Sequence, residues 1–169
     1  MTALQVVFLV VAAVILVSAL LVVTSRNLIH AALWLIVTLF AVAVLYALLS
    51  AGFLAVVQVV IYIGAIAILF IFAVMLTRKE LRDAGSPLNR GWPLSAALGI
   101  LVFGGLLWML SGWPGAERSA AELPAGFDVI NALGIALTAP DAFVLPFEVA
   151  SVLLLAALVG AVYVAFTRR

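Results

Sequence analysis

Polar side chains of chemically capable types stand inside otherwise apolar stretches of this sequence. Glu148, in "FVLPFEVASVLLLAALVGAVYVAF", is the one formally charged residue within those stretches. A carboxylate there could relay protons or bind a neighbouring donor. Facing hydrocarbon near the bilayer centre it would cost up to about 2.5–3.5 kcal/mol, so it has to face protein or water. Pro146, just before it, predicts a kinked helix with a freed carbonyl as a further polar partner. In "VVQVVIYIGAIAILFIFAVML", Gln58 and Tyr62 are four residues apart and Ala65 follows three later. At α-helical spacing the three share a face that Leu69 and Phe72 continue. Gln58 reads as an interhelical hydrogen-bonder, a contact worth about 0.6 kcal/mol on average. Tyr62 stands far from either aromatic belt and is open to two readings, interhelical packing or a hydrated path or gate. Gly64 beside it supplies backbone freedom or close approach. His30, near Arg26 and Asn27, reads as an interfacial hydrogen-bonder rather than a ligand.

The elements that carry these residues follow from composition. The chain has 169 residues, 69% hydrophobic and only 9% charged, with a mean hydropathy of +1.44. No soluble domain of this size could cover itself with so few polar groups. Apolar runs at about 2–23, 28–49, 54–76, 94–110 and 143–166 are each near the roughly 20 residues that span a hydrocarbon core. Unpaired backbone groups are not tolerated in lipid, so these runs predict an all-α integral membrane protein with five transmembrane helices. No Lys or Arg precedes the first run and it is longer than a signal core, so it is expected to remain as a helix. Without cysteine there can be no disulfide or thiolate metal site.

Charge sets an orientation. Arg26, Arg78, Lys79, Arg82, Arg90, Arg168 and Arg169 flank one side of the predicted spans, while the other side has Arg118 among Glu117, Glu122, Asp128 and Asp141. The positive-inside rule predicts an outside N-terminus and a cytoplasmic C-terminus. The links "TSRN" and "SAGF" are short enough to make the first three helices antiparallel neighbours. The outer loop 111–142 is expected to hold a short surface helix over 128–138. There Phe127, Ile130, Leu133 and Leu137 recur at helical spacing behind an Asp128 cap. Neither a sequence repeat, a phosphate loop nor a nucleophile triad is visible. The basic cluster around Arg78 reads as topology and lipid headgroup contact, with no nucleic-acid site.

Three stretches together resemble a known family: "SRNLIHAALWLIV", "FLAVVQVVIYIGAIAILFIFAVML" and "FVLPFEVASVLLLAALVGAVYVAF". They look like subunit J of bacterial proton-pumping NADH:quinone oxidoreductase, respiratory complex I, the counterpart of mitochondrial NADH dehydrogenase subunit 6. The resemblance covers the first three helices and the last. It implies a multi-pass subunit of the bacterial inner (plasma) membrane that has no redox site of its own. FMN, iron–sulfur clusters and quinone would belong to other subunits, and the partners would resemble subunits A, H, K and N, with lipids around them.

It also implies a π-bulge in the third helix beside Tyr62, expected between Tyr62 and Phe70, whose conversion to regular helix opens or closes a water path. On that reading Gly64 is the hinge, and Leu69 and Phe70 are the bulk that moves. Tyr62, Gly64, Leu69, Phe70 and Glu148 are then the candidate proton path or gate, in a subunit that helps couple quinone reduction to proton translocation. Two other functions fit the composition. One is a small membrane subunit of a multisubunit cation/proton antiporter; the other is a structural membrane scaffold.

Overall fold

The computed structural model describes residues 2–77, 91–113, 124 and 126–167. All of its described regular elements are helices: α1 (Ala3–Thr24), α2 (Leu28–Leu48), α3 (Gly52–Leu76), α4 (Trp92–Ser111), α5 (Val129–Thr138) and α6 (Val144–Thr167). Five of them, all but α5, are long and apolar enough to cross a membrane. Two compact units divide the chain, Met1–Ala116 and Glu117–Arg169. The basic residues Arg78, Lys79, Arg82, Arg90, Arg168 and Arg169, with Glu117, Arg118 and Glu122, lie outside the described residues.

Local signals set the helix ends in the first unit. The Thr2 hydroxyl accepts from the Gln5 amide while the Gln5 side chain accepts from the Thr2 N–H, a capping box that starts α1. Asn27 Oδ1 accepts from the Ile29 N–H at 2.9 Å and starts α2. At the far end of α2, Ser50 takes φ +60°. Its N–H donates to the Ala47 carbonyl and that of Ala51 to Tyr46, the paired bonds of a Schellman stop. A left-handed serine costs about 1–2 kcal/mol against glycine, and the two carbonyls satisfied in the turn offset it.

Helix α2 is the centre of this unit, with α1 on one side and α3 on the other. Among the described residues the buried hydrophobic ones are all alanines: Ala32, Ala41 and Ala43 on α2, and Ala67 on α3. Lipid is as apolar as leucine, so helix seams in a bilayer gain most where small side chains let backbones approach. A pair of hydroxyls joins the seam between α1 and α2. Ser18 of α1 is 2% exposed. Thr38 of α2 donates to its Oγ at 2.8 Å, and Ser18 donates onward to the Val14 carbonyl at 2.6 Å. The Trp34 carbonyl, 2.9 Å from Thr38 Oγ1, is the alternative acceptor for the threonine proton.

Helix α3 is not one regular helix. It runs as α-helix over Gly52–Val57, as π-helix over Gln58–Ala67, and as α-helix again over Ile68–Leu76. Every residue of α4 is exposed, and Pro93 sits in its first turn, where a missing N–H has no helical partner to lose.

In the second unit, Asp128 accepts from the Ile130 and Asn131 N–H groups, each at 3.1 Å, and starts α5. The Phe143 N–H donates back to the Ala136 carbonyl, folding the turn that leads into α6. Pro146 is the third residue of α6. It therefore falls in the first turn, and the predicted kink with its freed carbonyl does not occur there.

Candidate functional site: the π segment of α3 and the open face of α6

The π segment decides which side chains of α3 meet α2. Along α3 the less exposed positions are Ala55, Val57, Gln58, Ile63, Ala67, Ile71 and Val74. Beyond Ala67 the steps are of four and three residues, as in α-helix, whereas Gln58 to Ile63 is a step of five. An α-helix returns to the same side every 3.6 residues, and a π-helix, with i→i+5 bonding, about every 4.4. The face that α3 buries is thus a π face, Gln58–Ile63–Ala67.

The stripe read at α-helical spacing is placed differently. Gln58 is buried, at 7% exposure, but Tyr62 is 47% exposed. Ala65, Leu69 and Phe72 are also exposed. Gln58, Tyr62, Ala65 and Leu69 form the buried face only of a regular α-helix, and Gln58–Ala67 is not one. The irregularity also lies earlier than expected from the resemblance. It begins at Gln58 and ends at Ala67, so Tyr62 and Gly64 are within it, while Leu69 and Phe70 stand in the α segment that follows.

Gly64 has no neighbouring helix against it. A Cβ built there meets the Val59 carbonyl oxygen of its own helix at 3.4 Å and nothing else within 4 Å. Close interhelical approach is therefore not its role within this unit; the small residue in the seam is Ala67. The Ile68 N–H reaches back five residues to the Ile63 carbonyl and is shared with the Ala65 carbonyl, three residues back. Returning to the i→i+4 ladder beyond that bond steps over one carbonyl, that of Gly64. A stepped-over carbonyl in hydrocarbon needs a donor from water or a neighbouring protein.

Beside the π segment, an apolar cleft of about 350 Å³ lies between α2 and α3, walled by Phe40, Val44, Val56 and Val60 and floored by Ala43 and Ala55. Glu148 is the fifth residue of α6 and is exposed. The nearest hydroxyl on its own helix, Ser151, donates to the Phe147 carbonyl at 3.1 Å instead. Gly160 has nothing within 4 Å of where a Cβ would sit, so the small pairs of α6, Ala156 with Gly160 and Ala157 with Ala161, form no seam there. His30 is exposed near the start of α2.

The Ser18–Thr38 clasp is the polar contact that spacing did not reveal. Its signal was weak, two lone hydroxyls twenty residues apart on different helices.

Five apolar helices long enough to cross a membrane, the third carrying a π segment, define a multi-pass integral membrane protein. The family model described as NADH-ubiquinone/plastoquinone oxidoreductase chain 6 matches residues 18–164, and the chain belongs to that family. It is 44% identical to F(420)H(2) dehydrogenase subunit J of Methanosarcina mazei, over 87% of this chain and 82% of that one. It is 33% identical to NADH-quinone oxidoreductase subunit J of Rhodobacter capsulatus, over 94% and 79% of the two chains. NAD(P)H-quinone oxidoreductase chain 6 of Leptolyngbya boryana is 38% identical, over 94% and 77%.

Proposed function

We propose that this chain is a core membrane subunit without a redox centre in a proton-translocating NADH:quinone oxidoreductase, and that it couples quinone reduction to proton movement through the register of α3. The observation that carries the reading is the pair of alternative faces on one helix. In the π register Gln58, Ile63 and Ala67 meet α2; in a regular α-helix Gln58, Tyr62, Ala65 and Leu69 would. Each face contains an alanine small enough for the seam, so either register can pack.

Ten residues at about 82° each, in place of 100°, differ by about half a turn over the whole segment. Full conversion would carry Leu69 and Phe70 around the helix axis relative to Val57. Tyr62 would move toward the α2 seam, and the Gly64 carbonyl would regain a helical donor. A polar path that exists beside Tyr62 in one register would be closed in the other. Glu148 is the second element of the proposal, a proton relay or a lateral contact whose partner lies on another subunit.

The names of the relatives differ in electron donor, F(420)H(2), NADH or NAD(P)H, while this chain aligns with all of them over most of its length. That supports a part of the enzyme indifferent to the donor, with FMN, iron–sulfur clusters and quinone held elsewhere. The partners are subunits resembling A, H, K and N, and the positive-inside orientation puts the C-terminus in the cytoplasm.

The test is a structure of the intact complex in two functional states. A π segment in one state and regular α-helix in the other supports the proposal. The same register throughout, with full pumping in a variant locked in it, rejects it.

A further inference from the structure

We propose that α5 is an interfacial anchor, with Val129, Ile130 and Leu133 seated in phospholipid at the level where α6 enters the membrane. The short helix is two-sided. Val129, Ile130, Leu133 and Leu137 recur at steps that share one helical face, and Asn131, Gly134 and Thr138 occupy the opposite one. Val129, Ile130 and Leu133 are all exposed. Ile135, beside Asn131, is the one large apolar side chain of α5 away from that face.

The connection to α6 fixes the height of this helix. With 24 residues, α6 is about 36 Å long at 1.5 Å per residue, enough to cross a hydrocarbon core of about 30 Å with its first residues at one edge. The Phe143 N–H donates to the Ala136 carbonyl at 3.1 Å, which ties the last turn of α5 to that edge. Helix α5 does not run back along α6 into the bilayer, because every residue from 145 to 167 is exposed. Carboxyl groups stand at both ends of α5, Asp128 at its cap and Asp141 just beyond its last turn, and both are exposed. An ionisable group is costly in hydrocarbon, so neither end can dip below the headgroups. Standing upright away from the membrane, the helix would instead hold Val129, Ile130 and Leu133 in water. Lying flat keeps both carboxyl groups at headgroup level and turns the apolar face toward the acyl chains. The placement holds whichever side of the membrane α6 starts on.

Lipid suits this face better than a partner helix does. The seams among α1, α2 and α3 are floored by buried alanines that let backbones approach, whereas the exposed face of α5 presents branched side chains. The small residues that flank it, Ala132 and Ala136, are already half-buried within the unit, and Gly134 lies on the polar side. Residues 126–143 contain no Lys, Arg or His, so no cation there selects an anionic headgroup, and a neutral phospholipid fits.

The experiment uses the intact wild-type complex in phosphatidylcholine nanodiscs doped with phosphatidylcholine that carries a photoreactive diazirine on one acyl chain, either near the glycerol or at the chain end. An apolar face seated about 5–10 Å into the headgroup–acyl boundary meets the shallow group and not the deep one. Labelling of residues 127–138 by the shallow probe should therefore exceed labelling by the deep probe about fivefold or more. Mass spectrometry should map the adducts to Val129, Ile130 and Leu133 rather than to Asn131 and Thr138. A phosphatidylglycerol probe of the same shallow design should label the segment to the same extent. An unlabelled segment would assign the face to a neighbouring subunit or to water and overturn the proposal. Labelling by the deep probe equal to or above that by the shallow one would show a helix inserted in hydrocarbon and overturn it too. A marked preference for phosphatidylglycerol would overturn the neutral-lipid assignment.

Discussion

Gln58 and Ala67, nine residues apart on α3, are both buried, at 7% and 1% exposure. Nine residues are about two and a half turns of α-helix, which would put the two on opposite sides, but about two turns of π-helix, which puts them on one. Ala65 is exposed in this register and would enter the seam in the other. Ala65→Leu should therefore leave assembly and quinone reductase activity near wild type while lowering proton pumping, since it overpacks the α register by about 1–3 kcal/mol. Ala67→Leu should act in the opposite sense, against the π register, and reduce the yield of assembled complex. Pumping measured in proteoliposomes, against donor oxidation in the same sample, separates the two; equal behaviour of the pair would remove the two-face account of α3.

Gly64→Val tests the switch, with Gly64→Ala as its control. A methyl added at Gly64 meets the Val59 carbonyl oxygen at an ordinary 3.4 Å, so the π register can hold it. Alanine's preference over glycine is for helix against the unfolded chain, and both registers are helical, so Gly64→Ala should leave coupling near wild type. Gly64→Val, β-branched, should restrict the change of register and lower pumping relative to quinone reduction. An unaltered pumping-to-reduction ratio in Gly64→Val would leave Gly64 without a role in coupling.

Five spans were legible because a membrane helix is coded locally, in an unbroken apolar run. The register of α3 was not legible, because "QVVIYIGAIAIL" offers one face at α spacing and another at π spacing, and sequence periodicity read at 3.6 finds only the first. Tertiary packing against α2 selects the second. Pro146 misled because a proline's effect depends on its distance from the helix start, which nearby apolar residues such as Phe143 and Val144 do not mark sharply.

The Ser18–Thr38 clasp should contribute modestly. Interhelical hydrogen bonds in membranes average about 0.6 kcal/mol and reach about 1.7 at most. A double-mutant cycle of Ser18→Ala and Thr38→Val, read from thermal denaturation of the complex in mild detergent, should give a coupling in that range. Ser18→Ala alone should be gentle, because Thr38 keeps the Trp34 carbonyl as an acceptor 2.9 Å away. A coupling indistinguishable from zero would show that the hydroxyls only fill space.

Orientation is testable in this cysteine-free chain. The positive-inside rule puts the α1–α2 link in the cytoplasm and the α2–α3 link outside. An impermeant maleimide applied to whole cells should label Ala51→Cys and spare Ser25→Cys, and the reverse should hold in inverted vesicles. Labelling of Ser25→Cys from outside would invert the assignment for the first unit.

Glu148 stands on α6 with no donor from its own helix, since the Ser151 hydroxyl is committed to the Phe147 carbonyl. A carboxyl within a membrane span then takes its partner from a neighbouring subunit or from water, and the two differ in what survives neutralisation. Glu148→Gln preserves shape and hydrogen-bonding capacity while removing the proton-exchanging group. If the carboxyl relays protons, the Gln variant should assemble normally and retain much of its quinone reduction while pumping falls by about tenfold or more, the scale of a 1.4 kcal/mol barrier change. If it is a lateral contact, Glu148→Gln should pump normally, and Glu148→Ala should lower assembly by leaving the partner's donor unpaired, at a cost of about 1–3 kcal/mol. Normal assembly and normal pumping in both variants would exclude both roles.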